Sequence, residues 1–140
     1  MTFKALTLAA SLSALLFSAG SAQACRCKPL EDIPEAYSAA DLVVFGEVAA
    51  IEGSLTSAQG QVVDFRAEAT WKSPARSPLQ FVNRTTCAMD LKIGQTYLLF
   101  LHKLPDEETG YGANKCTGSL SGKEAEKAAE MLGDVHPETR

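Results

Sequence analysis

Residues 63–72 alternate strictly: Val63, Phe65, Ala67, Ala69 and Trp71 are apolar, and Asp64, Arg66, Glu68, Thr70 and Lys72 between them are polar. A period of two puts one set on a buried sheet face and the other in water, which predicts a half-exposed strand. Residues 41–51 (DLVVFGEVAAI) are instead almost continuously apolar and rich in β-branched side chains, with Gly46 inside the run. That composition predicts a long strand bent at the glycine, and residues 53–60 supply the turn between the two.

Further strands are predicted at 79–83 and 96–102 (TYLLFLH), with breakers at 73–78 and 92–95 and a shorter strand at 113–117. Five short strands separated by turn signals favour a small closed barrel over a sandwich. Two short helices flank it. Pro34 opens one that runs to residue 40, and Ser121 with Glu124 forms a capping box for a second that runs to Met131 and stops at Gly133. Residues 134–140 read as a frayed end. The fold class is therefore mainly β, a five-stranded barrel with one or two short flanking helices.

The first 24 residues stand apart from this pattern. Lys4 precedes an unbroken apolar or small run over residues 5–17, and Ala22-Gln23-Ala24 has the small-x-small form of a signal-peptidase site. A leader over 1–24 is expected, with a mature chain that begins at Cys25 and forms one domain over 25–133. The apolar run is too short for a membrane span, and no later stretch approaches the roughly 20 apolar residues that a spanning helix needs. A secreted or periplasmic location follows. Lipid attachment at Cys25 is disfavoured by Ala22, where such sites usually carry Leu, and by the odd number of thiols it would leave.

Of 13 basic and 17 acidic side chains only Lys4 falls in the leader, so the mature side chains carry a net charge of −5. That excess argues against nucleic acid or an anionic membrane as partner. Trp71 and Tyr97 read as core or barrel-end residues, with too few basic neighbours to serve as base-stacking platforms. Nothing in the pattern specifies an oligomer.

Cys25, Cys27, Cys87 and Cys116 are an even set in an exported chain, the setting in which cysteines are oxidised in pairs. Three connectivities are open. A Cys25–Cys27 bridge is the least favourable, because a ring closed over one residue departs from ordinary disulfide geometry. In an extended segment both cysteines turn inward and Arg26 faces out. Two long-range bridges would pin this tripeptide flat against the body. A redox or structural zinc site is disfavoured by the Cys-x-Cys spacing and the isolation of Cys87 and Cys116. His102 reads as a strand end and His136 as part of the tail, so no cofactor and no metal of the chain's own is expected.

The order of these landmarks resembles a family. Cys25-Arg26-Cys27-Lys28-Pro29 is similar to the Cys-x-Cys-x-Pro opening of the tissue inhibitors of metalloproteinases and, more broadly, of netrin-like domains. Asp41-Leu42-Val43, the strand ending Trp71-Lys72, Cys87, Gly94-Gln95-Thr96-Tyr97-Leu98 and Cys116 follow in matching order, so the resemblance spans most of 25–120. It implies an OB-type barrel with Cys25 bridged to Cys87 and Cys27 to Cys116. It further implies an inhibitor that chelates the zinc of a target metalloprotease through the amine and carbonyl of Cys25. Arg26, Cys27, Lys28, Thr85 and Thr86 would form the ridge around that contact.

Such chelation is chemically reasonable, because a catalytic zinc keeps one position open for water and an amine with its own carbonyl forms a five-membered chelate there. An α-amino group titrates at about 7.7 to 8.0, so a useful fraction is already neutral at pH 7 and metal binding would release the remaining proton. The chain departs from the family at Arg26, where a small or modest residue usually enters the target's main pocket. An inhibited protease would need an acidic or open pocket, since burying an unpaired guanidinium costs several kcal/mol. A third bridge usual in the inhibitory domain is missing, with Ser38 near the place of its first cysteine. The alternative is a secreted netrin-like module that binds another exported protein without inhibiting it. No Ser/His/Asp set, His cluster or phosphate-binding glycine loop points to an enzyme, and residues 106–108 read as a wet acidic turn. Asn83-Arg84-Thr85 is a glycosylation sequon.

Overall fold

The continuous apolar run at the start of the domain has a simple physical origin: the strand it forms, Leu42–Gly53 (β1), is buried on both faces over its first half. A computed structural model describes residues 25–27, 32–74, 77–84, 87–105 and 110–133. The leader, Lys28, Thr85, Thr86, the 106–108 turn and the 134–140 tail lie outside the described residues.

β1 pairs antiparallel with Gln61–Trp71 (β2), and β2 with Leu79–Asn83 (β3). On its other edge β1 pairs antiparallel with Thr96–Lys103 (β4), which pairs in turn with Tyr111–Ala113 (β5). Two parallel partners, Val82 with Gly112 and Asn83 with Ala113, join β3 to β5 and close the barrel in the order β1-β2-β3-β5-β4. This closed five-stranded arrangement is the OB-type barrel expected. Closure leaves neither edge of the five-strand sheet open. A sixth, two-residue strand, Leu120–Ser121 (β6), is added alongside β4.

Alternation sorts the strands into two cores. Leu42, Val44, Val48, Val63, Phe65, Leu79, Phe81, Leu99 and Leu101 point into the barrel. Val43, Leu98 and Phe100 point outward from β1 and β4, where Ile33–Ala39 (α1) and Gly122–Leu132 (α2) cover them with Ala36, Ala125 and Ala128. The period of two therefore persists in β1 and β4 and is masked in the sequence because both faces are apolar.

Gly46 marks the bend. A Cβ there would lie 2.0 Å from the Arg66 carbonyl oxygen, and the β1–β2 register shifts beside it, between Phe45 and Gly46. Close approach of β2 thus demands glycine at this point.

Three expectations are corrected. The 113–117 segment is not one strand: β5 ends at Ala113, and Lys115–Thr117 is a 3₁₀ turn whose first residues follow the Asn114 side chain. Asp32, rather than Pro34 alone, starts α1, its carboxylate accepting from the Glu35 amide at 2.9 Å. Ser121 is the N-cap of α2 but makes no side-chain capping bond, because its backbone is held in β6 opposite Tyr97. Tyr97 itself is a barrel-core residue, its hydroxyl accepting from the Lys92 amide and donating to Gln95. No helix among the described residues is long and apolar enough to cross a membrane.

Candidate functional site

The two disulfides gather three distant segments at one end of the barrel. Cys25 is bridged to Cys87 and Cys27 to Cys116, with Cα separations of 5.0 and 4.9 Å. Residues 25–27 carry no regular secondary structure, so their position is set by these bonds. Arg26 between them is exposed, and Cys25 is half-buried. This is the pairing implied by the family resemblance, and among the described residues no cysteine is free.

The receiving segments are themselves fixed without the bridges. The Lys115 amide donates to the Cys87 carbonyl at 2.8 Å, tying the loop after β3 to the 3₁₀ turn after β5. Asn114 accepts from the Cys116 amide at 2.8 Å through its side chain. Thr117 donates through its hydroxyl to the Asn114 carbonyl, and Ser119 accepts from the Phe100 amide of β4. These links join the turn to itself, to the Cys87 loop and to the barrel wall, so Cys116 sits on a braced platform.

Asn83 does the same for Cys87. It ends β3 with a fully buried side chain whose Oδ1 accepts from the Met89 amide at 2.8 Å, while Nδ2 donates to the Met89 carbonyl at 2.9 Å and to Gln61 at 3.0 Å. One amide therefore clamps the far side of the loop that bears Cys87. Gly60, in the left-handed region at φ 70°, lies against it; a Cβ there would stand 2.3 Å from the Arg84 Cβ and 2.8 Å from the Asn83 carbonyl oxygen. The Asn83 Nδ2 is buried and donates twice, so a glycan on it would be incompatible with this packing.

Of the expected site residues, Cys25, Arg26 and Cys27 are thus brought together beside Cys87, whereas Lys28, Thr85 and Thr86 lie outside the described residues. Asn83 and Asn114 were not expected, although signals for both exist. Alternation in β3 places Asn83 on the same inward face as Leu79 and Phe81, an unusual place for an amide, and Asn114 stands two residues before a bridged cysteine, as an Asx turn requires. His102 is a β4 residue paired with Gly112, at the strand end as read from the sequence.

Among the described residues the only group of three or more metal-ligating side chains is the cysteine set itself, whose four sulfurs all lie within 4.8 Å of one another. No family model matches the chain, and no curated protein or solved structure matches it either. The fold and this end of the barrel define a class, a small closed barrel with a doubly bridged Cys25-Arg26-Cys27 tripeptide.

Proposed function

We propose that the mature chain is an exported metalloprotease inhibitor, acting through zinc chelation by the amine and carbonyl of Cys25. The observation that carries this reading is the double attachment of residues 25–27: both cysteines are bonded to braced segments, and the one residue between them is exposed. A chelating pair held in that way loses little further freedom on meeting a metal, which favours tight binding. Removal of the leader supplies the free amine on which the mechanism depends. The zinc belongs to the target, and the inhibitor contributes no catalytic group. Lys28, Thr85 and Thr86 complete the ridge in this reading.

Arg26 gives weight to a second reading, a netrin-like module that binds an exported partner without inhibition. Its guanidinium is exposed, and pushing it into an apolar specificity pocket would cost several kcal/mol. An inhibited protease therefore has an acidic residue in, or an open end to, that pocket.

The deciding comparison is between the chain starting at Cys25 and the same chain with an acetylated amine or one added residue. Inhibition of zinc proteases is expected from the free form and lost in the blocked forms, with thermal unfolding unchanged. Equal potency of free and blocked forms would rule out chelation. Capture of the same exported partner by both forms, without inhibition, would establish the second reading.

A further inference from the structure

The two bridges lie side by side, so that the four cysteine sulfurs form one cluster. The Cys25 Sγ lies 3.8 Å from the Cys27 Sγ and 4.0 Å from the Cys116 Sγ, neither of which is its bonded partner, and the full set falls within 4.8 Å. Four thiolates around a zinc ion at about 2.3 Å stand roughly 3.8 Å apart in a regular tetrahedron. The two non-bonded spacings thus already match such a site, and the two bonded pairs have to move apart once reduced.

We infer that the reduced chain binds one thiophilic divalent ion, Zn²⁺ above all, through Cys25, Cys27, Cys87 and Cys116. The inference does not rest on the inhibitor reading, which uses the oxidised chain and the terminal amine. While the bridges are closed no thiolate is free to ligate. Two equivalents of a dithiol reductant deliver four electrons and four protons, open both S–S bonds and leave as two cyclic disulfides. One Zn²⁺ then takes up the four sulfurs and releases four protons, giving a Zn(S)₄ centre of charge −2.

Preorganisation survives the reduction for half of the ligands. The Lys115 amide bond to the Cys87 carbonyl, the Asn83 clamp on Met89 and the Asn114 contact with Cys116 are all independent of the bridges. Cys87 and Cys116 therefore remain neighbours on the barrel. Cys25 and Cys27, one residue apart, return to them as a chelating pair. Arg26 and Lys115, both exposed and each adjacent in sequence to two or one of the ligands, offset the negative centre and favour the thiolate forms. The same four side chains thus fasten the amino terminus in either redox state, by covalent bonds when oxidised and through a metal when reduced.

The test uses the chain starting at Cys25 with its amine acetylated, so that terminal N,S chelation is excluded, reduced anaerobically with a phosphine. Titration with Co²⁺ alone is expected to give one ion per chain with the intense visible bands of a tetrahedral thiolate site, bleached by one equivalent of Zn²⁺. One equivalent of Zn²⁺ should slow alkylation of all four thiols at least tenfold. Cys27→Ser and Cys116→Ser should each weaken Co²⁺ binding at least tenfold and reduce the charge-transfer intensity. Denaturing urea should weaken it at least a hundredfold, because the fold assembles the ligands. Absence of the visible bands, two Co²⁺ per chain, protection of only two thiols, indifference to Cys116→Ser or equal affinity in urea would each overturn the inference.

Discussion

Asn83→Ala isolates the clamp that holds the Cys87 loop. The substitution deletes three hydrogen bonds, two of them to the amide and carbonyl of the buried Met89 and one to Gln61. At about 0.5–1.5 kcal/mol net per bond the loss lies between about 1.5 and 4.5 kcal/mol. The stranded Met89 groups are buried, and unsatisfied buried groups carry their full desolvation cost, so the upper half applies and about 3 kcal/mol is expected. For a domain of this size each kcal/mol lowers the melting temperature by about 4 °C, which gives a drop of roughly 12 °C. Thermal unfolding of the oxidised chain, followed by circular dichroism, measures it. Amide exchange at Met89 should accelerate more than exchange in β1. A fall of less than about 4 °C, or a Met89 amide as protected as before, would refute the claim that Asn83 organises this end of the barrel.

Gly46→Ala places a Cβ against the backbone of Arg66, at 2.0 Å from its carbonyl oxygen, and neither strand can yield without breaking pairing; a loss of about 3 kcal/mol or more in chemical denaturation is expected. Lys72, at φ 73°, donates from its ammonium to the carbonyls of Tyr37, Ser38 and Ala40 at the end of α1 and sits 5.4 Å from the Tyr37 ring centroid. Lys72→Ala should therefore cost about 1–2 kcal/mol, and Lys72→Gly about 0.5–1 kcal/mol less than Lys72→Ala because glycine relieves the positive φ; equal melting of the two variants would exclude a backbone contribution. Replacing both Cys27 and Cys116 by Ser opens a crosslink of sequence separation 89, and the chain-entropy estimate is about 4.6 kcal/mol of stability, read as a shift in the urea midpoint. A loss below about 1 kcal/mol would show that the braced segments, rather than the bridge, hold residues 25–27.

Much of the barrel is legible in the residues because its strands carry strong local signals. β2 carries a visible alternation, whose apolar set faces the barrel from Val63 to Ala67, while past the register shift beside Gly46 Trp71 packs on the outer core, a change of face that the alternation does not announce; β1 and β4 are covered on both faces, and their strand character is visible instead as long β-branched and apolar runs. β3 falls at 79–83 as its flanking turn residues indicate. The weaker elements are held by tertiary context. Tyr111–Ala113 is a strand only because it bridges β3 and β4, and nothing in three residues announces that pairing. The capping box at Ser121 fails because a strand pairing competes for the same residue. At the candidate site, the cysteine count implied long-range bridges, but their connectivity is not contained in four positions; it followed from the resemblance and is seen in the structure. The sequon at Asn83 says nothing of burial, because a tripeptide pattern carries none, whereas its position on the inward face of β3 does.

The bridges also set an order in which the molecule can be completed. Cys25 and Cys27 are synthesised ahead of their partners, which follow 62 and 89 residues later. Native pairing therefore has to wait until nearly the whole barrel has been made. Oxidation that joined the first two available cysteines would close a strained 25–27 ring, so native pairing requires either reshuffling or oxidation after Cys116 has been added.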